Sequence, residues 1–494
     1  MSSPLAARTG LIVPLILAVV GCGAVAQGNG GDAGRGSDSR APSQDAGSRH
    51  DAGSHDTGGS DGGTRADAGN LDATSDGADA SPPRDHGEAS TTYPAFTPFM
   101  PQVLYGGGAV LENAEIVTIT WSGDANASTF EAFGDDIGTS DYWAETTSEY
   151  KVGPAHSGPL NHVRVTDAPI ASWADTDIAT WIVTRASSPG MYGWPAPNGN
   201  TLYALYISPE TDVLYGGSSA CGQGIGGYHD NVVVDGQDVA YAIVLQCQGG
   251  PGNQVTAAAS HELIEAATDP HPQDITAWVG FDGEHLAWDI FQSFQDEVGD
   301  ACEFYFDAYF DDTFSIVETL DAGADGGEAG TLFDAGSTSF AVQRTWSNLN
   351  AAAGHAPCRP TDYSVYFNVT PLQLDSTVSV LNTSGLGGPA TLQGQGYRIA
   401  NGTTRTFPVG FYSDGPTTGP WTISASEGNP LMGGSQTSHL TISIDRTSGQ
   451  NGDIAYVTVT VNAVDTTMNG ELVTIESQLT GFHRTFMPIL ISNE

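Results

Sequence analysis

The stretch His261-Glu262-Leu263-Ile264-Glu265 carries the strongest chemical signal in the chain. On a helix, residues four apart stand one turn above each other on the same face, so His261 and Glu265 can offer two ligand atoms to one cation. Glu262 lies about 100° round the axis and reaches the same space from the side. This is the arrangement of the H-E-x-x-H zinc peptidases, where the intervening Glu is the general base that activates water. Here Glu265 replaces the second histidine. A carboxylate is an acceptable zinc ligand but a harder one, so zinc is the first expectation and calcium or manganese are tolerated. Glu262 is the expected catalytic residue.

A third ligand must come from elsewhere. Asp300, in Glu297-Val298-Gly299-Asp300-Ala301-Cys302, is the first choice because a disulfide at Cys302 would tie it down. His229, in Gly227-Tyr228-His229, is the second, with Glu297 and His271 as further candidates. His271 follows His261 by ten residues, the metzincin spacing, but the glycine those enzymes carry at the seventh position is Thr268 here. The competing reading is an ordinary surface helix with an i,i+4 His/Glu pair. Against it stand Ala257, Ala258, Ala259, Leu263, Ile264, Ala266 and Ala267, which should bury the helix. Buried ionisable side chains need partners.

The elements that must position these residues can be read on either side. Glu115 to Trp121 alternates like a strand, and Ser128 to Tyr150 carries Phe130, Phe133, Ile137 and Tyr142 at mostly helical spacing. His162 to Val165 reads as a strand and Thr176 to Arg185 as a helix with Asp175 or Thr176 as N-cap. Strand signals return at Leu202 to Ile207, Tyr228 to Val234 and Val239 to Gln246. The helix from about Val255 to Thr268 then stops at Asp269-Pro270. Residues 94–360 are therefore expected to be an α/β (α+β), zincin-like domain, interrupted by a low-complexity insertion at 321–339. Residues 361–494 change character. Leu440-Ile442-Ile444 and Ala455-Val457-Val459-Val461 alternate with no helical period, which predicts an all-β, immunoglobulin-like sandwich.

The N-terminal residues read differently. Arg8 and the apolar run Leu11 to Val20 have the form of a signal peptide, too short to span as a helix. The run ends in Val19-Val20-Gly21-Cys22, which looks like a lipoprotein lipobox with Cys22 as the lipidated residue. Residue 23 is Gly rather than Asp, so the outer membrane is the expected destination. Residues 23–93 are Gly, Asp, Ala and Ser with Asp-Ala-Gly recurring at 32, 45, 51 and 67. Too few large side chains are present to offset chain entropy, which predicts a disordered tether. The four other cysteines, Cys221, Cys247, Cys302 and Cys358, allow three pairings in an oxidising compartment. Pairing neighbours, Cys221 with Cys247 and Cys302 with Cys358, closes the shortest loops. The formal net charge of −43 argues against nucleic acid as a partner.

The string from Ser260 to Pro270, then Ala277-Trp278, then Glu297 to Glu303, resembles the phosphate-induced protein 1 (EXORDIUM-like) family. So does the preceding order: Thr120-Trp121-Ser122-Gly123, Tyr142-Trp143, the strand at Leu202 to Ile207, and Cys221 leading to Gly227-Tyr228-His229. The resemblance spans roughly residues 100–310. It implies a secreted or cell-wall protein, with the family's shared His and Glu positions on His261, Glu262 and Glu265 and its acidic-Cys string on Asp300 and Cys302. It implies no catalytic activity. This chain departs from plant members in having a single Cys near His229 and in its added C-terminal sandwich, tether and insertion.

Two functions are expected to compete. One is a metal-dependent hydrolase, metalloprotease-like, lipid-anchored at the outer membrane or exposed on the surface, acting on peptide or an extracellular polymer. The other is a non-catalytic envelope binding or adhesion protein in which the metal is structural or absent.

Overall fold

The computed structural model describes residues 84–493 apart from 248–251, 295, 304, 306–307, 319–332, 383–389, 433–437 and 465–468. The signal segment 1–22 with Cys22, tether residues 23–83 and insertion residues 319–332 lie outside the described residues. Residues 85–494 belong to one compact unit.

The first half is built on a five-stranded sheet: β1 (Glu115–Trp121), β2 (His162–Val165), β3 (Thr201–Tyr206), β4 (Gly227–Val234) and β5 (Gln237–Val244), in the spatial order β2-β1-β3-β5-β4. All pairs are parallel except β4 with β5. Helices cover both faces, which is why β1 is buried from Ile116 to Trp121 rather than on alternate residues. Ile116, Leu202, Ala204, Ala240 and Ala242 face one side and pack with Phe130, Phe133, Ala259 and Leu263. Val117, Ile119, Tyr203, Leu205, Tyr241 and Ile243 face the other, against Ile178 and Ile182.

The single helical stretch expected from Ser128 to Tyr150 is two helices, Ala127–Ile137 and Asp141–Thr147. They break at Ser140, whose hydroxyl accepts the Trp143 N–H and so caps the second one. The helix Asp175–Ala186 starts on Asp175 itself, and its N-cap is Ala174 with no side-chain cap bond, so neither Asp175 nor Thr176 caps it.

The insertion read at 321–339 ends in a strand. Phe333–Gln343 pairs antiparallel with Tyr309–Glu318 from Glu318↔Phe333 to Tyr309↔Gln343. Its weak Asp/Gly/Ser composition is outweighed by Phe340, which packs on Phe133, by Phe314 of the partner strand, which packs on Tyr142, and by Val342 in the same apolar cluster. The tether, too, ends earlier than residue 93. Asn451 donates to the Ser90 and Thr92 carbonyls, and the His86 carbonyl accepts the Ile454 N–H, so residues 86–92 are laid against the second half.

That second half has two sheets. Phe367–Pro371, Thr404–Ser413, Ile454–Val461 and Leu440–Ile444 form one, in that order. Asp375–Asn382, Ala390–Arg398, Arg484–Ser492, Gly470–Gln478, Trp421–Glu427 and Ser448–Gly449 form the other. Val457, Val459 and Val461 alternate with half-buried Thr458 and Thr460, and Trp421 and Ile423 with exposed Thr422 and Ser424, the ordinary signature of packed sheets, whereas Arg484–Ser492 is buried nearly throughout. One apolar cluster runs from the helix side of the first half into these sheets, through Trp288, Phe291, Trp346 and Phe486. No helix among the described residues is long and apolar enough to cross a membrane.

Candidate metal centre

The site helix, Gly252–Thr268, lies across β5 and β4 with its small apolar residues inward. Alanines at 257, 259, 266 and 267 let it approach the sheet closely, and this brings the polar face of the same turns under cover. The side chains of His261, Glu262 and Glu265 are only 11, 7 and 3% exposed.

Glu265 is the best-anchored member. Its Oε1 accepts the N–H groups of Gly299 and Asp300 at 3.1 and 3.0 Å, and its Oε2 stands 3.0 Å from His261 Nε2. Asp300 opens the short helix Asp300–Glu303, and its Oδ1 is 3.6 Å from the same His261 nitrogen. Asp300 is held there by Cys302, disulfide-bonded to Cys358, and by the Val298 carbonyl accepting the Trp346 N–H. The second disulfide joins Cys221 and Cys247, so both pairings are those of nearest neighbours.

His229, from the edge strand β4, enters from the other side. Its Nδ1 lies 3.7 Å from Glu262 Oε2, 3.7 Å from Glu265 Oε2 and 3.8 Å from Glu297 Oε2. Glu297 thus joins the cluster together with its neighbour Asp300. His271 does not join it. It sits past the proline that ends the helix, where its charge is felt by Asp269, and it is in none of the converging groups among the described residues.

Gln343 carried no sequence signal for the site, yet it is a member. The site helix and the strand Phe333–Gln343 are stitched by Ser260, whose hydroxyl accepts the Gln343 N–H at 2.9 Å, and by Thr256 donating to Ala341. Tyr142 donates to the Gln343 carbonyl. The Gln343 side-chain nitrogen then donates to the Gly299 carbonyl at 2.9 Å and lies 2.8 Å from His261 Nδ1. With that nitrogen as donor, Nδ1 accepts, and the proton of a neutral ring sits on Nε2 facing Glu265. A cation at Nε2 requires the opposite tautomer. A half-turn of the amide supplies it by presenting Oε1 to Nδ1–H, at the cost of the bond to Gly299.

Two glycines make room for the acids. A Cβ on Gly299 would fall 2.7 Å from Glu265 Oε1 and 2.8 Å from His261 Nδ1. A Cβ on Gly227 would fall 2.6 Å from Glu262 Cγ.

The electrostatics show a cluster under tension. Burial raises Glu262, and pushes Glu297 and Asp300 well above the carboxylate range. For Glu265 burial acts in the same direction, but the His261 ring outweighs it and holds the carboxyl at about 2. Burial alone would lower both histidines. Glu265 reverses this for His261, and Glu297 with Glu262 carries His229 up to about 10. Four carboxyls around two imidazoles cannot all ionise without a further positive charge. The donor set, imidazole nitrogen mixed with carboxylate oxygen, fits a borderline cation such as zinc better than calcium, which takes oxygen ligands.

Comparisons with known proteins add little. No family model matches the chain, and no curated protein does. Among solved structures, domains 4 and 5 of the S-layer protein SbsC align at 14% identity over 33% of this chain and 90% of that one, with a TM-score of 0.14. A Bacteroides ovatus xyloglucanase aligns at 20% identity over 20% of this chain and 16% of its own, with a TM-score of 0.13. The BIgI domain of the beta protein from S. agalactiae aligns at 11% over 24% of this chain and 94% of that one, with a TM-score of 0.14. Likenesses of this size say nothing about the site.

Proposed function

We propose that this chain is a cell-envelope lipoprotein, anchored to the outer membrane through Cys22, whose first half is a metal-dependent, zincin-like hydrolase domain. One observation carries the reading: two imidazoles and four carboxylates converge, buried, around a single turn of one helix. His261, Glu265 and Asp300 hold a divalent cation, with zinc the first choice. When bound, such an ion polarises a carbonyl and makes water a better nucleophile near neutral pH. Glu262 is the general base. Burial raises its carboxyl from the ordinary range, toward the region where a base is matched to neutral conditions. Gly227 leaves the space in which its side chain lies. The second half positions peptide or an extracellular polymer. The resemblance of residues 100–310 to the phosphate-induced protein 1 family is part of this proposal.

A second reading has its own support. Of the six side chains, only that of Glu297, at 19%, is more than 11% exposed, which suits a structural ion in a non-catalytic binding or adhesion protein. Elemental analysis of the purified protein, with hydrolysis of an unstructured protein by wild type and Glu262→Gln, separates the two. The hydrolase predicts bound metal in both proteins and turnover only in wild type. Metal without hydrolysis under broad conditions leaves the structural reading. No metal, and a melting temperature unchanged by chelator, removes both metal readings and leaves a binding protein without an ion.

A further inference from the structure

One cation satisfies only half of this centre. His261 Nε2, Glu265 Oε2 and Asp300 Oδ1 form one donor set, and His229 Nδ1 with Glu262 and Glu265 forms another, each set lying within 4.8 Å. Glu297 Oε2 is 3.8 Å from the His229 nitrogen, beside the second set. The two sets share Glu265, whose Oε2 stands 3.0 Å from His261 Nε2 and 3.7 Å from His229 Nδ1.

His229 is the telling residue. Four other histidines in this protein close on a carboxylate at hydrogen-bond length, 2.8 Å for His162 with Asp135, 2.6 Å for His285 with Asp282, 2.9 Å for His355 with Asp414 and 2.6 Å for His439 with Glu471, and the pair that stays open at 3.9 Å, His86 with Asp445, has a histidine side chain 42% exposed. His229 Nδ1 faces three carboxylate oxygens and closes on none, standing 3.7–3.8 Å from each. A hydrogen bond would draw one of them in to about 2.7–2.9 Å. Ligands on one small cation, with bonds of about 2.0–2.2 Å, stand roughly 3.3–3.7 Å apart. The spacing is that of groups arranged around an ion. The side chain is also 5% exposed, and neither ring nitrogen completes a hydrogen bond among the described residues; a cation would give Nδ1 its partner, with the ring proton on the buried Nε2. A buried imidazole with so little hydrogen bonding is costly unless something else binds it.

We infer that the centre takes two divalent cations bridged by Glu265, the first held by His261 and Asp300 and the second by His229 and Glu297. This rests on the reading that the site helix binds a cation at all. Charge supports the count: with both imidazoles neutral, the carboxylates of Glu262, Glu265, Glu297 and Asp300 carry four negative charges, which two dications balance. The anchoring of Glu265 suits a bridge, since Oε1 is fixed by the Gly299 and Asp300 N–H groups while Oε2 faces both histidines. Glu262 Oε2 lies beside the second position and keeps its place as base. The His229 position also needs no amide turn, because no donor hydrogen-bonds to its Nδ1 among the described residues. Centres of this kind serve the hydrolysis of peptide and phosphate ester bonds.

The test is zinc stoichiometry on the full chain, stripped with chelator, reloaded and freed of excess, with circular dichroism as the folding control. Two equivalents are expected in wild type, one in His229→Gln, one in His261→Gln and none tightly held in Glu265→Gln. Manganese loading adds a second readout, because two ions on one carboxylate give an exchange-coupled paramagnetic spectrum that His229→Gln converts to an isolated one. One equivalent in wild type, unchanged in His229→Gln, overturns the second position and leaves the first. Two equivalents that persist in His229→Gln put the second ion elsewhere and overturn it as well. No zinc in wild type overturns the cation reading itself.

Discussion

The side-chain nitrogen of Gln343 stands 2.8 Å from His261 Nδ1, although 82 residues separate them and they sit on different elements. This contact decides which nitrogen of His261 carries the proton, and hence whether Nε2 can bind an ion. Replacing Gln343 by Met keeps the volume and removes the amide. The metal-competent tautomer has the amide turned so that Oε1 accepts from Nδ1–H; Gln343→Met cannot make that bond, and zinc affinity, measured by competition with a chromogenic chelator, is expected to fall about 10–100-fold. An unchanged affinity would mean that the amide plays no part in setting the tautomer.

Gly299 offers a steric test of the same corner. Alanine there would place a methyl 2.7 Å from Glu265 Oε1 and 2.8 Å from His261 Nδ1, closer than carbon and oxygen can stand. The carboxylate must shift, and with it the pair of N–H bonds that fix it. Gly299→Ala should cost about 1–3 kcal/mol in unfolding free energy, as overpacking does, and weaken zinc binding at least as much as the Gln343 change. Calorimetry and the same chelator competition read the two effects. A variant as stable and as tight as wild type would show that the acids have slack.

The residues whose chemistry depends on local spacing were legible in the sequence. His261, Glu262 and Glu265 share a face because a helix repeats every 3.6 residues, and their alanine-rich flanks announce the burial. Asp300 and Cys302 were found by their short motif, and the disulfides by loop length. What depends on tertiary assembly was not. Gln343 is an ordinary polar residue at the end of a strand whose start looks like the tether, and only the packing of that strand on the helix turns its amide inward. Asp175 looked like a cap but is the first helical residue. The order β2-β1-β3-β5-β4 also left no trace, because strands buried on both faces lose the alternation that would show which way they face. His229 was readable only as one of several candidates. Its edge strand, not its neighbours in sequence, brings it opposite Glu262.

The disulfide between Cys302 and Cys358 spans 56 residues and anchors the turn that carries Asp300, whereas Cys221–Cys247 spans 26 and lies nearer β4. Replacing Cys302 and Cys358 together by Ala removes a constraint on the unfolded chain worth about 4 kcal/mol by loop entropy. Replacing the other pair should cost roughly 0.6 kcal/mol less, since the loop is about half as long. Binding should separate them further: zinc affinity of the His261 position falls in the first variant and holds in the second. Equal affinities in both would show that the Asp300 turn keeps its place without the bond.

Asp289, outside the metal centre, gives the clearest dependence on pH. Burial, with the Asp296 carboxyl beside it, pushes its carboxyl up to about 8, against a donation from Phe281 that acts the other way. Its Oδ1 is buried and unpartnered among the described residues. Asp296 is itself raised to about 6, and Asp282 adds repulsion. In the unfolded chain Asp289 ionises near its ordinary value of about 3.9. The unfolded state therefore gives up its proton first, and stability complete below about pH 4 drains away as pH rises toward 8. Asn at 289 keeps an acceptor for the Phe281 N–H and does not ionise. The melting temperature of Asp289→Asn minus that of wild type should thus be small at pH 4, grow through pH 6 and level off above pH 8. Its plateau should correspond to a few kcal/mol, on the order expected for a shift of several pH units in a buried group. A difference that stays flat across this range would show that Asp289 meets its charge with a partner in solution. A variant less stable than wild type at pH 9 would show that the ionised carboxylate is itself a stabilising group.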